Sequence, residues 1–138
     1  MSAIDGIRVV EVGEGKALAY AGKLLRDLGA EVIKVEPPGG DTIRDYGPFP
    51  SDKPDPTQSG MFIFLNGGKR GACLDIETDD GRESLNDLLD GADVLLHSFQ
   101  PTAAKSLGLE PDGLLENYPQ LIVSAITPYG STGPYAEW

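Results

Sequence analysis

One cysteine, Cys73, and one histidine, His97, are all that 138 residues contain of those two types. A lone thiol excludes an internal disulfide, and a single imidazole with carboxylates scattered through loops supplies no ligand set for a metal, so none is expected. Cationic side chains are also scarce: 11 Lys and Arg stand against 22 Asp and Glu, a formal charge of −11. A nucleic-acid backbone would meet repulsion before contact, which excludes general nucleic-acid binding. There is neither a basic-then-apolar leader nor an apolar run long enough to cross a bilayer, so a cytoplasmic protein with no membrane partner is expected.

What is present is a patterned globular chain of one domain's length, 40% hydrophobic. Its 18 glycines and 11 prolines have no period and fall between apolar runs, where they punctuate loops. Ile7, Val9, Val10 and Val12 predict a strand. Gly13 and Gly15 follow as a turn, then Leu18, Ala21, Leu24, Leu25 and Leu28 at helical spacing, stopped by Gly29. Residues 31–35 make the next short strand. One helix between two apolar strands predicts a right-handed crossover with parallel strands.

Residues 37–58 hold six prolines and read as a long surface excursion with no packed element of its own. The chain re-enters at Met61 to Leu65, turns at Asn66 to Arg70 and forms a strand near residues 72–76. Thr78 or Asp79 caps a helix with Leu85, Leu88 and Leu89 inside. A fourth strand at residues 94–96 delivers His97, Ser98 and Phe99 to its carboxyl end. Short helices near 101–107 and 114–118 lead to a fifth strand at 121–126. Strands alternating with helices predict a three-layer α/β fold.

Several residues invite a chemical reading. Gly13-x-Gly15 with Glu36 at the end of the second strand partly matches a dinucleotide-binding fingerprint, but Leu18 stands where the third glycine belongs. The pentapeptide Asn66 to Arg70 fits either a phosphate held by amides, Lys69 and Arg70, or a tight turn with solvated charges. Lys34 near a strand end reads equally as a snorkelling edge lysine. His97 has no nucleophile signature beside it and reads as a structural or contact residue, and Cys73 as part of the core. No carboxylate pair shows acid/base spacing, so no catalytic residue is assigned within the chain.

Longer stretches carry a resemblance. Ile4-Asp-Gly-Ile-Arg-Val-Val, residues 22–36 (Gly-Lys-Leu-Leu-Arg-Asp-Leu-Gly-Ala-Glu-Val-Ile-Lys-Val-Glu) and Pro37-Pro-Gly-Gly-Asp closely resemble the start of the family III CoA-transferases. That family includes formyl-CoA transferase, carnitine CoA-transferase and alpha-methylacyl-CoA racemase. Asn66-Gly-Gly-Lys-Arg, Leu74-Asp-Ile, Ala92-Asp-Val-Leu, Ser98-Phe-Gln-Pro and Thr127-Pro-Tyr-Gly-Ser-Thr-Gly-Pro-Tyr extend it through essentially the whole chain, in order.

The resemblance implies a Rossmann-like open, mostly parallel sheet with helices on both faces. Residues 1–138 would be the N-terminal domain that holds coenzyme A, within a longer subunit that dimerises as interlocked rings. In the transferases an aspartate forms a mixed anhydride with the acyl group and CoA passes between two carboxylic acids, covalent catalysis by a carboxylate. That aspartate, like the His and Asp pair of the racemase-type isomerases, is expected beyond this chain, so the chain alone is expected to be inactive. A divergent, non-catalytic domain for assembly or ligand sensing is the alternative. By position, Lys16, Ala17, Lys34, Leu74, Ser98 and Phe99 match places where family members touch CoA or an acyl-CoA, and Lys69 and Arg70 join them as candidate phosphate contacts. Pro37, Glu77 and Ser106 stand where some members present a basic residue.

Overall fold

The computed structural model describes residues 2–138. Strand β1 (Arg8–Val12) leads into helix α1 (Lys16–Asp27) and strand β2 (Glu31–Glu36). Helix α2 (Gly60–Asn66), strand β3 (Arg70–Cys73), helix α3 (Asp79–Leu89) and strand β4 (Val94–His97) follow. Short helices α4 (Pro101–Ser106) and α5 (Pro111–Asn117) lead to strand β5 (Ile122–Ala125). The five strands lie side by side in the order β3-β2-β1-β4-β5, every pair parallel.

Alternation along the strands divides the core in two, because successive side chains leave a pleated sheet on opposite faces. Val9, Val32 and Leu96 point to one face and are covered by Leu18 of α1, with Ala21 and Leu25 packed alongside. Val10, Val12, Val35 and Leu95 point to the other, under Leu85 and Leu89 of α3, Ala104 of α4 and Leu114 of α5. Helix α1 ends as its sequence predicts: Gly29 takes a φ of +113°, the Gly29 N–H donates to the Arg26 carbonyl and the Ala30 N–H to the Leu25 carbonyl, both at 3.0 Å. Glycine adopts that left-handed conformation without the clash that a Cβ would bring.

Three expectations change. Residues 37–58 do carry local structure, with 3-10 turns at Thr42–Asp45 and Pro50–Asp52. Ile43 is buried there with Ala19 and Leu65 as a third apolar cluster, and Ser59 Oγ, which caps α2 through the Phe62 N–H, also bonds the Ile43 and Tyr46 carbonyls. The third strand begins at Arg70, earlier than expected. It lies at the edge of the sheet, so Cys73 is exposed instead of sitting in the core. Among the described residues no helix is long and apolar enough to cross a membrane, and no cluster of three or more His, Cys, Asp or Glu is placed to hold a metal.

Candidate functional site

In an open parallel sheet the chain leaves β1 towards β2 on one side and β4 towards β5 on the other, so a crevice opens between their carboxyl ends. Gly13 and Ser98 meet there. Gly13 has a φ of +115°, and a Cβ at that position would stand 2.5 Å from Ser98 Oγ. Ser98 Oγ in turn accepts the Glu14 N–H at 3.0 Å. Beside this junction, over the ends of β1, β2 and β3, lies a cleft of about 450 Å³. Val12, Val35, Leu74, Ile76, Phe99 and Leu107 give it apolar walls, Pro37 and Pro38 a rigid lip, and Glu14, Asp75 and Glu77 its carboxylates.

The expected contact residues divide. Leu74 and Phe99 line the cleft, and Ser98 braces the loop that carries Glu14. Lys16 and Ala17 occupy the exposed first turn of α1, whose cap residue, Gly15, has no side chain to bond the free amides. The Lys16 ammonium lies over the Tyr46 ring, 3.9 Å from its centroid. Arg70 sits at the opposite end of the sheet, paired in register with Ile33, where its guanidinium reaches Glu31 at 2.5 Å.

Lys34 and Lys69 are inside. β2 is an internal strand, so Lys34 is no edge lysine; its side chain is 2% exposed. Its Nζ lies 3.0 Å from Glu11 Oε1, on the residue facing it across the β1–β2 register, and 2.7 Å from Asp41 Oδ2. That second contact is ionic only, since Asp41 Oδ2 takes no aligned hydrogen bond. Lys69 Nζ donates to Glu11 Oε2 at 2.7 Å and to the Ala19 carbonyl and Asn66 Oδ1, both at 2.8 Å. The Asn66 to Arg70 turn therefore aims its lysine at an internal carboxylate, away from any ligand surface. Burial pulls the Lys34 pKa down, but the charges of Glu11 and Asp41 outweigh it and hold Lys34 above its ordinary value. Burial wins at Lys69, which falls below its own, Glu11 offsetting it only in part.

Glu36, the acid of the partial fingerprint, is also engaged. Its two oxygens receive Arg44 Nε at 2.7 Å and Nη2 at 2.9 Å, and the Asp41 N–H adds a third bond at 3.0 Å. Burial raises its pKa, yet the Arg44 bonds prevail and keep the carboxyl below its ordinary value. Arg44 thus holds both of the oxygens that the ribose diol of a dinucleotide would need. His97 lies at the carboxyl end of β4, where burial lowers its pKa and keeps the ring neutral. Its Nδ1 accepts the Phe99 N–H at 3.3 Å and its ring stacks on Phe99.

Sequence reasoning named Gly13 only within the partial fingerprint and Asp75 only within the Leu74-Asp-Ile stretch; the close packing of Gly13 on Ser98 and the place of Asp75 in the cleft emerge from the fold. Five parallel strands in this order, with helices on both faces and a cleft at the carboxyl ends, define a doubly wound α/β domain of the Rossmann class. The description CoA-transferase family III matches residues 4–138, and the chain belongs to that family. It is similar to the "Probable fatty acyl-CoA transferase Rv3272" of Mycobacterium tuberculosis, 40% identical over 134 residues that make 97% of this chain and 34% of that protein. It is 38% identical to the succinyl-CoA:(R)-benzylsuccinate CoA-transferase subunit BbsE of Thauera aromatica, over 95% of this chain and 32% of the relative. The crystal structure of a CAIB/BAIF family protein from Brucella suis superposes with a TM-score of 0.87 at 39% identity, covering 99% of this chain and 36% of that one. The chain spans about a third of the length of these relatives.

Proposed function

We propose that residues 1–138 are the N-terminal, coenzyme-A-holding domain of a family III CoA-transferase. The whole protein then moves CoA from an acyl-CoA to a second carboxylic acid through an aspartyl anhydride, the aspartate lying beyond Trp138, in a homodimeric cytoplasmic enzyme. The observation that carries this reading is the cleft itself. Its apolar walls adjoin the crevice where doubly wound sheets take nucleotides, and Leu74 and Phe99, two residues matched to CoA contacts, stand in it. The adenosine end of the coenzyme enters between Phe99 and Leu74, and the first turn of α1 offers amides to a diphosphate.

Calorimetric titration of the chain with coenzyme A and, in parallel, with NAD tests this. Saturable CoA binding is expected, weakened about tenfold in Phe99→Ala because an aromatic wall is lost. NAD is expected to give no saturable heat. Binding of NAD in place of CoA, or CoA binding indifferent to Phe99, would refute the assignment.

A further inference from the structure

The polar side chains lining the cleft are all of one sign. Glu14, Asp75 and Glu77 face it and no lysine or arginine does. Lys16, on the first turn of α1, lies over the Tyr46 ring, and the other nearby cations are paired. Arg44 is forked onto Glu36, and Lys34 and Lys69 are sealed beneath α1 with Glu11. Arg82 lies in an adjoining hollow that shares Glu77, Phe99 and Leu107 with the cleft, and there it pairs with Asp79 at 2.6 Å. The carboxylates are exposed and partly engaged by backbone: Glu14 Oε1 accepts the Thr42 N–H at 3.1 Å and Asp75 Oδ1 the Glu77 N–H at 3.2 Å. They keep lone pairs for hydroxyl and amino donors while repelling anions.

An apolar slot rimmed by acceptors suits a flat, uncharged base and the hydroxyls of its ribose. A phosphate on that ribose would enter the field of all three carboxylates. We propose that the cleft selects a nucleoside end bearing no ribose phosphate, so that 3′-dephospho-coenzyme A is a better ligand of this chain than coenzyme A. The proposal rests on the reading that the adenosine end of the coenzyme enters the cleft, and it names the form of that end which the cleft prefers.

The test is calorimetric titration of the whole chain with coenzyme A, 3′-dephospho-coenzyme A and adenosine, at low and at near-physiological salt. The dephospho form is expected to bind about tenfold more tightly at low salt, from like-charge repulsion across a solvated gap. The difference narrows as the screening length falls from about 30 Å at 0.01 M to about 8 Å at 0.15 M. Glu77→Gln narrows it further, and Glu77→Lys reverses the order; circular dichroism checks that both variants fold. Equal affinities, or tighter binding of coenzyme A, would overturn the proposal and leave the coenzyme reading standing. Tighter coenzyme A binding that disappears in Arg82→Gln would likewise overturn it and assign the phosphate to Arg82. Silence for all three ligands from a folded chain overturns both the selectivity and the assignment beneath it.

Discussion

Glu11 and Lys34 face each other across two central strands and, with Asp41 and Lys69, put two carboxylates and two ammonium groups inside the molecule. Such a group is stable only while complete, since burial penalises any charge left without a partner. Glu11→Ala leaves two buried ammonium groups against the single carboxylate of Asp41 and is expected to cost about 3–5 kcal/mol, read as a fall in the urea midpoint. Arg44 and Glu36 form a second, less buried pair whose contribution depends on pH. Glu36 titrates below its ordinary 4.5, so an unfolded chain binds the proton first as the solution is acidified. The stabilisation is present in full above pH 4.5 and is lost as pH falls through the lower, folded value. Glu36→Gln is expected to remove that part of the acid limb, measurable as a shallower loss of thermal midpoint below pH 4.5 than in the unaltered chain. At this scale the sequence was least informative. Lys34 and Lys69 look like ligand contacts by residue type, and only the neighbouring strand and loop, distant in sequence, turn their charges inward. Phe99 was legible because the end of the fourth strand delivers it to the crevice, and Leu74 only through the family resemblance, since the strand expected to contain it ends at Cys73.

Helix α1 shows how an element's neighbours can invert a propensity. Glycine inside an exposed helix is about 1 kcal/mol worse than alanine, so Gly22→Ala would ordinarily stabilise. Here a Cβ on Gly22 would come within 1.9 Å of Glu11 Oε2 and 3.0 Å of Lys69 Nζ. The substitution is expected to lower the thermal midpoint instead, by displacing the buried carboxylate from its lysines. Helix α2 depends on Ser59, whose hydroxyl both caps the helix and ties it to the 3-10 turn at Thr42–Asp45. Ser59→Ala should cost about 1–2 kcal/mol in chemical denaturation, the loss of a cap plus a tether. Element type and order were largely legible, because alternating valines and leucines at helical spacing report burial directly. The packing of residues 37–58 was not. Six prolines mark a segment poor in regular structure, and nothing local says that Ile43 will be covered by Ala19 and Leu65.

Over the whole molecule, the apolar surface is unevenly distributed. Tyr20 and Leu24 of α1 and Leu28 at its C-cap recur at helical spacing, each about half exposed, and Ile63 and Phe64 of α2 are 59% and 61% exposed. Exposed apolar surface on neighbouring helices favours association. Sedimentation is expected to show an average mass that rises with concentration, and the double variant Leu24→Glu with Phe64→Glu to lower it at every concentration. A mass independent of concentration in the unaltered chain would contradict this.

The strand order also bears on how the molecule is made. β1, which leaves the ribosome before the other four strands, ends at the centre of the sheet, yet its second neighbour, β4, begins 85 residues after Val9, at Val94 in the register. During synthesis β2 and β3 can dock on one side of β1 while the other side presents the unpaired backbone of a valine-rich strand. An open, apolar strand edge is a template for misassembly. The nascent chain is therefore most in need of protection in the interval between the emergence of β3 and that of β4, and a chaperone that engages extended apolar segments would be expected to release it once Val94 to His97 have closed the edge.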